Sequence, residues 1–114
     1  MKIIFPIPPS VNSMYGGGSK QKRFPSNRYK AWIKKTENMG YPTPCFSSVY
    51  ITYYLYFPDN KVRDCKNFLK AIDDWLVHNK IIRDDSWQVM KGERILPQGI
   101  DRENPRIEIE IQEA

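Results

Sequence analysis

Residues Val49 to Phe57 read Val-Tyr-Ile-Thr-Tyr-Tyr-Leu-Tyr-Phe, without a charge, a glycine or a proline. β-Branched and aromatic side chains suit a pleated strand better than a helix, and Pro58 closes the run because it has no N–H to continue a ladder. The near-continuous apolarity predicts burial on both faces, hence a central position in a sheet. The remaining segments must supply the layers that cover this strand.

Asp64 to about His78 provides one layer. At about 100° per residue, Cys65, Phe68, Leu69, Ile72, Trp75 and Leu76 form a broad apolar stripe, and Asn67, Lys70, Asp74 and His78 a narrow polar one opposite it. One face packs and the other is free for chemistry. A first helix is predicted from Asn27 to Met39: Ser26 is placed to cap it, Tyr29, Trp32, Ile33 and Thr36 recur at helical spacing, and Gly40 and Pro42 stop it. Lys2 to Ile7 reads as an edge strand broken by Pro6, Pro8 and Pro9. Strands are also predicted at Trp87 to Ile95 and Pro105 to Ile111; in the latter Ile107, Ile109 and Ile111 alternate with polar residues. Ile81-Ile82 forms a short apolar element before the turn Arg83-Asp84-Asp85-Ser86. These elements predict an α+β fold with a mixed sheet and two main helices.

A chain of 114 residues is one domain, here residues 1–114. With 40% hydrophobic and 27% charged residues it is globular rather than disordered. Its apolar runs fall far short of the roughly 18–20 residues that cross a bilayer, and its start is too short for a signal peptide, so a cytoplasmic location is expected. The formal net charge of +5 is unevenly spread. Ser19 to Glu37 holds Lys20, Lys22, Arg23, Arg28, Lys30, Lys34 and Lys35 against one acid, whereas Asp101 to Ala114 holds five acids against Arg102 and Arg106. A basic working surface facing a polyanion such as nucleic acid follows. Gly16-Gly17-Gly18-Ser19 opens a flexible basic stretch running to about Phe24, free to close on a ligand.

Cys45, Cys65 and His78 are the only cysteines and histidine, which excludes Cys/His zinc fingers and disfavours thiol or histidine catalysis. Both cysteines are expected to be small buried residues of a reducing compartment. Chemistry then falls to carboxylates, lysines and a hard cation. Phosphodiester hydrolysis suits that set, because carboxylate oxygens hold Mg²⁺, which polarises the phosphate and activates water. Asp64 at a helix start and Asp84-Asp85 about twenty residues later are the candidates; each is equally an ordinary helix cap or turn residue, and spacing alone leaves both readings open.

Taken in order, Pro8-Pro9-Ser10-Val11-Asn12, Pro58-Asp59, Arg63-Asp64-Cys65-Lys66-Asn67-Phe68-Leu69-Lys70, Asp74 and Asp84-Asp85-Ser86-Trp87-Gln88-Val89 resemble the RusA-type Holliday junction resolvases, small endonucleases of bacteria and their prophages. The likeness spans nearly the whole chain. It implies a RusA-like homodimer that binds branched DNA at four-way junctions and makes paired cuts in recombination and repair. Mg²⁺ is the implied cofactor, with Mn²⁺ as an alternative and no small-molecule cofactor or membrane involved. Asp64, Lys70 and Asp85 become the catalytic residues, with Asp64, Asp85 and Asp84 as metal ligands and Asn67 and Asp74 supporting. Lys20, Lys22, Arg23, Lys61, Arg63 and Asn12 become DNA contacts. The departure is Lys66, which stands where the family carries its second aspartate. Either the remaining carboxylates, with Asp84 or Asp59 assisting, still hold one Mg²⁺, or the chain binds branched DNA with weak or no cleavage.

Overall fold

The structure is a computed structural model that describes residues 1–16 and 24–114. A four-stranded sheet carries β1 (Lys2–Pro6), β4 (Val49–Phe57), β5 (Met90–Ile100) and β6 (Arg106–Glu113) in the order β1-β6-β4-β5. β1 and β4 run antiparallel to β6, and β5 runs parallel to β4, so the sheet is mixed. A small ladder, β2 (Tyr15–Gly16) with β3 (Phe24–Pro25), stands apart from it. Helices α1 (Asn27–Thr36) and α2 (Lys70–His78) complete the predicted α+β architecture. β1 and β5 are the edges, and β5 accommodates Pro97 without breaking the sheet because an edge strand leaves one side of its backbone unpaired.

β4 is central, yet its burial alternates instead of covering both faces. Val49, Ile51, Tyr53 and Leu55 are buried, while Tyr50 is 50% exposed and Thr52, Tyr54 and Tyr56 are half-buried. Both helices lie on the Ile51 face, and the tyrosine face meets charged neighbours instead. There Arg106 stacks 3.8 Å over Tyr56 and pairs with Glu108 at 2.7 Å, and Lys2 pairs with Glu108 at 3.0 Å. Tyrosine tolerates this position because its ring is apolar and its hydroxyl can stay wet. On the packed face Phe5 lies between the two helices, 5.9 Å from Trp32 and edge-on to Trp75 at 5.0 Å. The Trp32 Nε1–H donates to the Pro6 carbonyl at 2.8 Å, tying α1 to the end of β1.

Several predicted boundaries shift. α1 stops at Thr36, whose buried hydroxyl turns back onto the Trp32 and Ile33 carbonyls at 3.1 and 3.0 Å. Ile33 is exposed beside the groove between α1 and α2 rather than packed in the core. The second helix is not continuous from Asp64. Asp64 caps a 3₁₀ turn, Cys65–Phe68, and α2 begins only at Lys70. Trp87 sits in a turn and is 77% exposed, so the strand predicted to start there begins at Met90. Neither cysteine is fully buried: Cys45 is exposed in the left-handed backbone region (φ 50°) and Cys65 is half-buried, both as free thiols. Among the described residues no helix is long and apolar enough to cross a membrane.

Candidate active site

Two short 3₁₀ turns bring distant motifs together. Pro8 and Pro9 are buried beyond β1, and Ser10 leads into the turn Val11–Ser13, closed by the Ser13 N–H on the Ser10 carbonyl at 2.8 Å. The Ser26 hydroxyl holds that turn to α1. It donates to the Ser13 carbonyl at 2.6 Å and accepts from the Tyr29 N–H at 3.1 Å as the cap of the helix. The turn carries an exposed Asn12 and packs against the second 3₁₀ turn, Cys65–Phe68. Pro-Pro-Ser-x-Asn and the segment starting at Asp64 are therefore neighbours in space.

Asp64 is exposed, and its Oδ1 accepts the Lys66 N–H at 3.0 Å. Among the described residues its Oδ2 has no hydrogen-bond partner, so capping occupies half of the carboxylate. The Asn67 N–H donates to the Asp64 carbonyl at 3.0 Å, closing the turn that follows Asp64. Lys66 itself is exposed. Upstream, Asp59 accepts from Arg63 Nη1 at 2.7 Å and from the Lys61 N–H at 3.0 Å. The Arg63 hydrogen bond, chiefly, holds the Asp59 carboxyl down at about 2. Arg63 also stacks 5.2 Å from the centre of the Phe57 ring. Asp59 is thus committed to arginine, whereas Lys61 projects from an exposed loop.

Lys70 opens α2 and donates to Asp74 Oδ1 at 2.9 Å, one turn on. That bond raises the ammonium above the ordinary lysine value. Partial burial opposes the shift, and the charges of Asp74 and Asp85 add to it. Lys70 therefore stays cationic across neutral pH, suited to stabilising negative charge rather than to taking a proton. Asp85, whose charge acts on Lys70, comes from a different segment, the exposed turn between Ile82 and Val89. The Phe46–Ile82 bridge anchors that turn on one side, and the Val49 N–H on the Val89 carbonyl at 2.8 Å anchors it on the other.

Sequence reasoning overlooked Asp73. It follows Lys70 by three residues as Asp74 does by four, so both return to the side of the helix on which Lys70 lies. Its Oδ1 accepts the Tyr53 hydroxyl at 2.6 Å. Burial pushes the Asp73 carboxyl up to about 6; the Tyr53 bond opposes this, and the charges of Glu93, Asp85 and Asp74 add to it. Glu93 pairs in register with Ile51 and so lies on the helix face of β5. Burial, chiefly, with Asp73 and Glu93 adding to it, pushes the Tyr53 phenol far up, keeping it a neutral donor. The available signal was an aspartate beside the polar stripe of an otherwise apolar helix.

Lys70 thus feels the charges of Asp74 and Asp85, and Asp73 those of Glu93, Asp85 and Asp74. The chain does not bring Asp64, Asp84 and Asp85 into a closed shell: among the described residues no group of three or more histidine, cysteine, aspartate or glutamate side chains is close enough to hold a metal ion. The donor set still suits a hard divalent cation, since these are carboxylate oxygens with unspent acceptor capacity, and Mg²⁺ commonly takes one or two such ligands and fills the rest with water. Lys20, Lys22 and Arg23 lie outside the described residues. The ends of their segment do pair, Tyr15 with Pro25 and Gly16 with Phe24.

A small α+β domain with a cationic lysine among carboxylates from separate segments has the chemistry of a phosphoryl-ester hydrolase. The family model described as Endodeoxyribonuclease RusA matches residues 6–112, and the chain belongs to that family. No curated protein matches it. The family's activity is endodeoxyribonuclease cleavage supported by a divalent metal, and its substrates are branched DNA junctions.

Proposed function

We propose that this protein is a Mg²⁺-dependent endonuclease that resolves four-way DNA junctions as a homodimer, one active site per strand cut. The observation that supports it best is Lys70, bonded to Asp74 at 2.9 Å and raised further by the charge of Asp85 from another segment. Asp64, through its unspent oxygen, and Asp85, with Asp84 next to it, would hold the cation. When bound, the cation supplies Lewis-acid polarisation of the scissile phosphate and activation of water. Lys70 stabilises the negative charge that accumulates on the phosphate oxygens, Asp74 fixes the lysine's position, and Asn67 supports the turn that follows Asp64. Asn12, Lys61 and the basic segment Lys20, Lys22 and Arg23 contact phosphates, which positions DNA without reading its sequence. Arg63 joins them only by loosening its bond to Asp59. A junction has an approximate two-fold axis, so two copies of one chain can face equivalent phosphates.

A second reading, branched-DNA binding with little or no cleavage, is favoured by Lys66 in place of a carboxylate. A nicking assay on a synthetic four-way junction with Mg²⁺ or Mn²⁺ separates the two. Wild-type protein should cut both strands of a pair, and Asp64→Asn and Asp85→Asn should abolish cutting while junction binding persists. Asparagine caps a helix as well as aspartate does, so undiminished cleavage by Asp64→Asn would reject its catalytic assignment. Binding without cleavage by the wild-type protein at any metal concentration would establish the second reading.

A further inference from the structure

On the outer side of α1 a cavity of about 510 Å³ opens between the helix, the Pro8-Pro9-Ser10 segment and the end of β4. Of the residues around it, only Arg63 has a proposed DNA contact, and Arg28 and Lys35 belong to the basic run; the cavity itself has no role so far. Its volume lies within the roughly 300–1,000 Å³ typical of pockets that take small ligands. Pro9, Trp32, Phe57 and Phe68 give it an apolar floor, and Arg28, Lys35 and Arg63 stand around that floor. Arg28, Ala31 and Lys35 form one stripe of α1, at relative angles of about 0°, 300° and 340°. The two cations bracket Ala31 at positions about 10 Å apart along the axis. Neither Arg28 nor Lys35 is ion-paired among the described residues. Ala31 keeps the middle of the cavity open. Arg63, on the opposite rim, is the residue directly before Asp64, so the cavity adjoins the proposed catalytic turn.

We infer that this cavity is a subsite for one nucleotide of the DNA strand being cut, with its flanking phosphates on Arg28 and Lys35 and its base against the Pro9, Phe57 and Phe68 floor. Anionic groups joined to a flat apolar ring are what cations around an aromatic floor recognise, and base stacking on such surfaces tolerates any sequence. The inference rests on the DNA-directed reading above and adds to it a site that holds the strand beside the proposed catalytic turn.

The helix supplies its own control. Lys30 and Lys34 are exposed at about 200° and 240°, turned roughly 90–130° from the cavity stripe and not among its lining, so Lys30→Gln with Lys34→Gln removes the same charge as Arg28→Gln with Lys35→Gln. Binding of a labelled four-way junction is measured by fluorescence anisotropy across a salt series. Loss of two phosphate contacts should make the log Kd against log salt slope shallower by about 1.8, or about 1.4 if the contacted strand is single, for the Arg28/Lys35 pair. The Lys30/Lys34 pair should move it by less than half as much. Ala31→Leu fills the cavity without changing charge, and should weaken binding with the slope unchanged. All these side chains face solvent, so the core is untouched. Equal effects from the two double variants, or wild-type affinity in Ala31→Leu, would overturn the subsite while leaving DNA binding intact. Wild-type protein that binds no junction would overturn the functional reading and the subsite together.

Discussion

Asp73→Asn should stabilise the protein at alkaline pH and do nothing in acid. The native carboxyl is pushed from 3.8 up to about 6, chiefly by burial, with Glu93, Asp85 and Asp74 adding their charge. A carboxyl whose value is raised on folding favours the fold in its neutral form. Its contribution is complete below about pH 4, and is lost as pH rises through about 6. Roughly two pKa units at 1.36 kcal/mol each amount to about 3 kcal/mol by which ionised Asp73 opposes folding at pH 8. Asparagine has nearly the same shape and cannot ionise. Its carbonyl oxygen can still accept the Tyr53 hydroxyl, which sits 2.6 Å from Asp73 Oδ1. The variant should therefore gain about 2–3 kcal/mol at pH 8, or roughly 6–15 °C in melting temperature for a domain of this size.

Thermal unfolding followed by circular dichroism, in EDTA at unit steps from pH 4 to pH 8, measures the difference. The two proteins should melt close together at pH 4, and their separation should develop mainly between pH 4 and pH 6 and level off above it. A gap independent of pH, or a variant less stable than wild type at pH 8, would refute the reasoning, because the Tyr53 bond to the ionised carboxylate would then outweigh its desolvation. The same substitution should slow junction cleavage, since it removes negative charge from the proposed site.

Two further substitutions test how the site is built. Ser26→Ala removes both the cap of α1 and the hydroxyl donated to the Ser13 carbonyl, and should cost about 1–2 kcal/mol in urea unfolding; because Ser13 belongs to the turn that carries Asn12, junction affinity should fall as well. Lys66→Asp supplies the missing carboxylate and should lower the Mg²⁺ concentration for half-maximal cleavage. Superimposable titrations would place Lys66 outside the site, and cleavage by the variant alone would mark the natural protein as a binder.

Periodicity made the hydrophobic framework legible. Ile107, Ile109 and Ile111 are buried, as their alternation predicts, and Leu69, Ile72, Trp75 and Leu76 are buried along one side of α2. The central place of β4 was legible too, but its single-sided burial was not: a tyrosine looks apolar in a sequence pattern whether its hydroxyl is buried or wet. The break at Leu69 was also hidden, because a 3₁₀ turn and an α-turn place apolar residues at nearly the same spacing over four residues. In the site, Asp64, Lys70, Asp74 and Asp85 stood out by motif. Asp73 and Glu93 did not, because what distinguishes them is the approach of β4 and β5 to α2, a contact between segments that no local spacing records.

The bland and the chemical readings of Asp64 are compatible in one side chain. As the cap of a 3₁₀ turn it spends Oδ1 on the Lys66 N–H, and that bond fixes where the carboxylate points. A carboxylate has two oxygens and about four acceptor sites, so a single cap bond leaves ample capacity for a cation. The cap is then part of the preorganisation: it holds the ligand in place before the metal or the DNA arrives, without a dedicated supporting residue. The residue whose backbone makes that bond is Lys66, the position where the sequence resemblance implies a second aspartate. Exchanging its side chain changes the charge near the proposed site but leaves the N–H that orients Asp64, so a lysine here is compatible with the Asp64 geometry the proposed mechanism needs.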